Sequence, residues 1–173
     1  MAVIINGHDL TVEEIIRVCR GYEKVEVSKE AQTAVKKARD YIEKKLDEGA
    51  VIYGLTTGFG KFANINISKE ETADLQRNLI ISHTCALGNP YETKYVRAAI
   101  LLRCNALSRG HSGIRPETLN TLVDMLNKGI HPIVPETGSL GASGDLAPLS
   151  HIALGLIGLG KVEYKGTVMP AQE

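Results

Sequence analysis

The chain has 173 residues, enough for one domain with a real core. Twenty basic residues balance twenty acidic ones, so the formal net charge is zero and nothing supports binding to nucleic acid or an anionic membrane. Hydrophobic residues make up 43%, yet there are only two phenylalanines and no tryptophan, so the core is expected to be aliphatic.

In chain order the pattern is mainly α, helices with a few short strands. Val3 to Ile5 and Val25 to Val27 read as short strands separated by a helix. Thr11-Val12-Glu13-Glu14 is a capping-box start for that helix, which ends near Arg20-Gly21. Ser28 opens a longer helix through Leu46, stopped by Gly49, and Val51 to Tyr53 reads as a brief extended entry to a glycine-rich loop. Ser68-Lys69-Glu70-Glu71 is a second capping box, opening a helix to about Leu87 that Gly88-Asn89-Pro90 breaks. Further helices are expected from Glu92 to Ser108 and from Pro116 to Lys128, the latter stopped by Gly129. His131 to Pro135 reads as an extended connector, and Asp145 as the N-cap of an apolar helix from Leu146 to Leu156, with Pro148 in its first turn. Lys161 to Val168 alternates like a hairpin around Lys165-Gly166, and Met169 to Glu173 reads as the beginning of a helix. No internal repeat or low-complexity segment appears.

Cys19, Cys85 and Cys104 are odd in number, irregularly spaced and without a CxxC pair, which points to a reduced, cytoplasmic compartment. The five histidines at 8, 83, 111, 131 and 151 have no metal-ligand spacing, so no metal is expected. Met1 to Gly7 lacks the basic and long apolar regions of a signal peptide. The longest apolar run, near Ile152 to Leu159, carries two glycines and is too short to span a bilayer. Lys36-Lys37 and Glu43-Lys44-Lys45 read as a solvated helix face.

The most informative stretch is Gly138 to His151, GSLGASGDLAPLSH. Within it Ala142, Ser143 and Gly144 can condense with themselves. The Gly144 amide nitrogen attacks the Ala142 carbonyl carbon and closes a five-membered ring. The ring loses one water, and the Ser143 side chain loses a second by β-elimination. The product is a 4-methylidene-imidazol-5-one, an electron-poor alkene made from backbone. No ordinary side chain is a strong electrophile, so such a group serves catalysis and replaces an external cofactor. Gly141 and Gly144 let the backbone compress, and Ala142 is small enough not to block the attack. The ring would lie at a helix N-terminus, whose dipole suits negative charge on the ring oxygen. An isolated Ala-Ser-Gly is more often a plain turn capping a buried helix.

Thirteen consecutive positions, Gly138 to Ser150, resemble the signature of the aromatic amino acid ammonia-lyases, which are similar in fold to the fumarase and aspartase group. Tyr53-Gly54-Leu55-Thr56-Thr57-Gly58-Phe59-Gly60 resembles the family's tyrosine loop. Leu75 to Leu79 followed by Ser82-His83 resembles the segment that lines the substrate ring, and Leu107 to Gly110 followed by Ser112 to Arg115 is also family-like. The resemblance implies the N-terminal domain of that lyase fold, a catalytic trio Ala142-Ser143-Gly144 that forms the electrophile, Tyr53 as base, and supporting roles for Asp145 and Gly60. A free tyrosine ionises near about 10, so a tyrosine base needs a site that favours its phenolate. A phosphate loop is a poorer reading of the same segment, because Gly60-Lys61-Phe62 lacks the Ser or Thr of a Walker sequence.

Within the family, Ser82-His83 points to the members that convert L-histidine to urocanate and ammonia; phenylalanine and tyrosine lyases commonly have an apolar residue at the second position. An imidazole substrate offers a ring donor and a ring acceptor, and His83 can meet either. Thr56 departs from the pattern, since many histidine-specific members carry Asn there. The resemblance also implies a homotetramer whose sites draw on several subunits, and a longer chain whose later half is a helical bundle with an arginine for the substrate carboxylate. Residues 1–173 are therefore expected to be a single N-terminal domain without that half. Two other readings stay open: a non-catalytic folding or assembly unit, and a phenylalanine or tyrosine lyase or aminomutase.

Overall fold

The computed structural model describes residues 2–58 and 71–173. It opens with strand β1 (Val3–Ile5), which buries Val3 and Ile5 and exposes Ile4. Helix α1 (Val12–Gly21) starts at the expected capping box: Glu14 N–H donates to Thr11 Oγ1 at 3.3 Å and Thr11 N–H donates to the Glu14 carboxylate at 2.9 Å. Strand β2 (Val25–Val27) pairs parallel to β1, Val3 opposite Val25 and Ile5 opposite Val27. Helix α2 (Lys29–Asp47) is capped by Ser28, and Gly49 leaves it at φ +73°. Then come α3 (Thr72–His83), β3 (Leu87–Pro90), α4 (Thr93–Leu107) and α5 (Pro116–Lys128). Strands β4 (Ile130–Pro132) and β5 (Pro135–Thr137), helix α6 (Leu146–Leu156) and the hairpin β6 (Lys161–Tyr164) and β7 (Thr167–Pro170) complete the order.

Helix α4 is the axis of the core. Its Val96, Ile100, Leu101 and Cys104 are buried against α1 and α5, with Val3, Ile5, Val18 and Val25 on one side and Leu119, Leu122 and Leu126 on the other. The core is aliphatic, as the composition requires. Three small sheets surround it: β1–β2, antiparallel β3–β5, and antiparallel β4–β6–β7. Lys165 and Gly166 turn the hairpin with φ +50° and +77°, the left-handed pair that a tight hairpin favours.

Four local expectations are corrected. Helix α3 stops at His83, not Leu87, and Leu87–Pro90 is strand rather than a break, held by pairing with β5. Residues 51–53 form no strand, and Tyr53 already lies in a turn, closed by the amides of Leu55 and Thr56 donating to the Ile52 carbonyl. Met169 and Pro170 end β7, and a turn, not a helix, follows. Asp145 occupies the N-cap of α6, but its side chain makes no capping bond. Of the second capping box, Ser68, Lys69 and Glu70 lie outside the described residues, and no side-chain hydrogen bond caps α3 at Glu71.

Between α1, α4 and β4 lies a polar pair inside the core. Arg97 Nη1 donates to His131 Nε2 at 3.0 Å, and both residues are buried. A guanidinium only donates, so the imidazole proton sits on Nδ1, which has no partner among the described residues. Burial, then the Arg97 charge, lowers His131 to about 4 against an ordinary 6.5, with Glu163 opposing weakly. Between those values the unfolded chain binds a proton that the folded chain refuses, so stability is full above 6.5 and falls as pH drops toward 4. Denaturant unfolding at about pH 5 should therefore show a loss of about 2 kcal/mol from this group relative to neutral pH. His131→Gln, which keeps an acceptor but cannot titrate, should flatten that dependence; an unchanged slope would place the acid sensitivity elsewhere.

Candidate functional site

The loop from Gly138 to Asp145 is built so that backbone, not side chain, fills its tight places. A Cβ on Gly138 would fall 2.4 Å from the Ala86 Cβ, so only glycine lets the chain pass beside the approach to β3. Residues 141–143 form a turn flanked by Gly141 at φ +85° and Gly144 at φ +73°. A Cβ on Gly144 would meet Ser139 Oγ at 2.6 Å, which a rotation of that exposed serine relieves, so it is the left-handed φ that favours glycine there. Ala142 and Ser143 are exposed. Asp145 fails to cap α6 because its own backbone is already helical, at φ −98° and ψ −13°, rather than extended as a capping residue needs. The neighbouring Ser143 hydroxyl holds its carboxyl below the usual carboxylate range. Arg103 Nη2 stands 3.5 Å from Asp145 Oδ2 and favours the same charged state. A small residue, an exposed serine and two glycines in left-handed conformations are what self-cyclisation asks of a loop. These residues fit the methylidene-imidazolone.

Tyr53 sits in a second tight turn and is 63% exposed. Thr56 Oγ1 accepts from Ile52 N–H at 2.8 Å and donates to the Ala50 carbonyl at 3.2 Å. Thr56 thus serves the loop's own framework, which an Asn amide could also serve, having one donor and one acceptor end. Gly54, at φ +74°, is gripped on both sides. Its N–H donates to Thr57 Oγ1 at 3.3 Å, and its carbonyl accepts from Gln76 Nε2 at 3.0 Å. Gly60 lies outside the described residues.

His83 is the last residue of α3 and is half-buried. Its Nδ1 is 2.9 Å from the Leu79 carbonyl and 3.1 Å from Ser82 Oγ. A carbonyl only accepts, so Nδ1 carries the proton and Nε2 is left as an acceptor. Three residues on, Ala86 N–H donates to His151 Nε2 at 3.3 Å, and burial lowers His151, consistent with its acting as a neutral acceptor.

The structure therefore gathers the residues in two groups. Ser143, Asp145 and Arg103 form one at the start of α6. The Tyr53 turn, Gln76 and His83 form the other on α3. Packing of α3 against α6 joins them. Arg103 escaped the sequence reading, while Gln76, Ser139 and His151 stood inside its motifs without a role of their own. Gln76 alone left a usable signal, standing seven residues before His83 and so on the same face of a helix. Among the described residues no group of three or more His, Cys, Asp or Glu is gathered as a metal site, and no helix is long and apolar enough to cross a membrane.

A sequence model of aromatic amino acid lyases matches residues 10–173. The chain belongs to the aromatic amino acid lyase family. It is 55% identical over 171 residues to histidine ammonia-lyase of Alkaliphilus oremlandii, covering 99% of this chain and 34% of that protein. The histidine ammonia-lyase structure from Trypanosoma cruzi superposes with a TM-score of 0.89 at 34% identity, covering 99% of this chain and 33% of that one. Tyrosine aminomutase from Streptomyces globisporus superposes with a TM-score of 0.91 at 37% identity, covering 99% and 32%. The chain thus spans about a third of the length of the lyases and aminomutases it matches. These neighbours fit the mainly α lyase architecture. Backbone similarity does not separate histidine lyases from aminomutases in this family, so the substrate must be argued from side chains.

Proposed function

We propose that this protein acts as a histidine ammonia-lyase, eliminating ammonia from L-histidine to give urocanate, with Ala142, Ser143 and Gly144 forming the electrophile themselves and no external cofactor. The observation that carries the reaction class is the loop geometry: Gly141 and Gly144 in left-handed conformations around an exposed Ala142-Ser143 turn. The 55% identity to the Alkaliphilus enzyme across nearly the whole chain supports histidine as the substrate. When formed, the methylidene-imidazolone supplies an electron-poor alkene that makes departure of ammonia easier.

This chain's own residues do the rest. Tyr53, as phenolate, takes the β-proton of the substrate. The acceptor Nε2 of His83 receives the N–H of the substrate imidazole, a bond that a phenyl ring cannot make. Asp145 holds Ser143 during loop maturation, steadied by Arg103. Residues 1–173 act as one N-terminal domain carrying this loop. Leu87, Leu140 and Leu146 leave apolar surface around it, with Leu140 86% exposed, which suits cover by further polypeptide in a homotetramer. The three free cysteines suit a cytoplasmic setting.

The test is a comparison of L-histidine, L-phenylalanine and L-tyrosine, with urocanate followed by its ultraviolet absorbance and the other products by chromatography. A site that hydrogen-bonds its substrate ring rejects analogues lacking the bond by about 10⁴-fold, so histidine should lead by a margin of that order. Faster turnover of tyrosine or phenylalanine, or a β-amino acid product, would transfer the assignment to another branch of the family.

A further inference from the structure

The geometry points to Gln76 as the positioning residue for Tyr53, a strut that fixes the base at a set distance from the residue that holds the substrate ring. The proposal rests on the reading of Tyr53 as the base. Gly54 follows Tyr53 directly, and both of its backbone polar groups are taken. Thr57, buried in the same turn, takes the N–H, and Gln76 takes the carbonyl. The Thr57 bond is local and travels with the loop. The Gln76 bond spans 22 residues and ties the turn to a helix.

That helix is the one that ends in His83. Gln76 and His83 stand seven residues apart, two turns on one face, about 10 Å along the axis. The far end of the same segment is fastened in turn, because Ala86 donates to His151 on α6, the helix that follows the Ser143 loop. A single rigid element therefore references the base, the ring-binding histidine and the helix of the electrophile to one another. Thr57 is buried at the base of this turn while Tyr53 reaches out to 63% exposure, so the peptide between them is where a fixed carbonyl sets the ring's position. Loss of the Gln76 amide frees the Gly54 peptide to rotate and shifts Tyr53, while His83 and the loop at Ser143 stay in place.

The test uses the native protein, expressed from its complete gene, with Gln76→Met and Gln76→Glu. Methionine keeps the length and apolar stem but cannot donate. Glutamate keeps the shape but sets a carboxylate against the Gly54 carbonyl. Misplacing a reacting group by about 1 Å can cost about 10²-fold, so kcat should fall by about 10- to 100-fold, with KM changed less than about threefold. The primary isotope effect with β-deuterated L-histidine should rise, because proton removal becomes slower. The peptide containing residues 142–144 should keep its deficit of two waters, since the strut does not serve the loop. Unchanged kcat, a change confined to KM, or a rate loss with an unaltered isotope effect would each overturn the proposal. Tyr53→Phe separates the two readings: if it is inactive while the Gln76 variants run at full rate, only the strut fails, and if it retains full rate, the base assignment falls and the strut with it.

Discussion

Ser143→Ala should abolish turnover of L-histidine, by at least about 10³-fold, which is on the order of 4 kcal/mol of transition-state stabilisation. The same variant should lack the deficit of two waters expected for the parent's peptide containing residues 142–144, losing at most the one water of ring closure. The two readouts are linked by one atom. The second water comes from the Ser143 side chain, so without its oxygen no methylidene can form. The fold should not suffer. Ser143 is exposed, and among the described non-glycine residues only Tyr22 and Lys165 have positive φ, so alanine meets no conformational strain there. Denaturant midpoints should agree with those of the parent within about 0.5 kcal/mol. The Asp145 carboxyl loses the hydroxyl that chiefly holds it low and should move toward the ordinary carboxylate value, with Arg103 still opposing. A variant with full activity would remove the self-formed electrophile from the mechanism, whatever the substrate.

What could be read from the chain alone divides along the range of the interactions. Helix α5 was legible at both ends, because Pro116 at its first position and Gly129 at φ +71° are local signals. The Thr11 capping box and the Lys165-Gly166 turn are local in the same sense. Helix α3 misled at its end because the apolar run continues past His83, while what stops it is distant. Ala86 is held by His151 and Leu87 pairs with Thr137. Gly88 and Pro90 are poor strand formers, and only the partner strand makes strand of them, with an irregular register. Asp145 has the residue type of a cap but not its backbone: at φ −98° and ψ −13° it already follows the helix, and its side chain leaves the first turn uncapped. The site follows the same division. Ser143 is legible because its chemistry needs only its two neighbours. Gln76 is only half legible: its spacing puts it on the His83 face of a helix, but its partner lies 22 residues away in the Tyr53 turn, which that spacing does not announce.

Arg97→Ala should be the most destabilising single change in the chain, costing about 4 kcal/mol in denaturant unfolding at neutral pH. The guanidinium is fully buried and has no carboxylate among its described partners. It is held instead by the open ends of two helices. Nη2 and Nε donate to the Val18 carbonyl at 2.8 and 3.2 Å, and Nη1 donates to the Leu126 carbonyl at 3.0 Å. Val18 and Leu126 lie in the final turns of α1 and α5, where carbonyls lack partners within the helix and the dipole is negative. The Tyr22 ring, 4.1 Å away, covers another face of the cation. Alanine would take this donor from the Val18 carbonyl and His131 Nε2, leave the Leu126 carbonyl with only the Gly129 N–H at 3.3 Å, and open a cavity between α1, α4 and α5. Such a loss is a large part of the 5–15 kcal/mol typical of a domain, so Arg97→Lys supplies the measurable companion. Lysine keeps the charge but not the planar fork that reaches two helix ends at once, and should lose roughly half as much. Relieved of the neighbouring cation, His131 in the alanine variant should also titrate nearer its ordinary value, and the acid dependence of stability should shrink. A loss below about 1 kcal/mol would mean that the two helix ends find water or other donors, and that the buried cation is not what joins them.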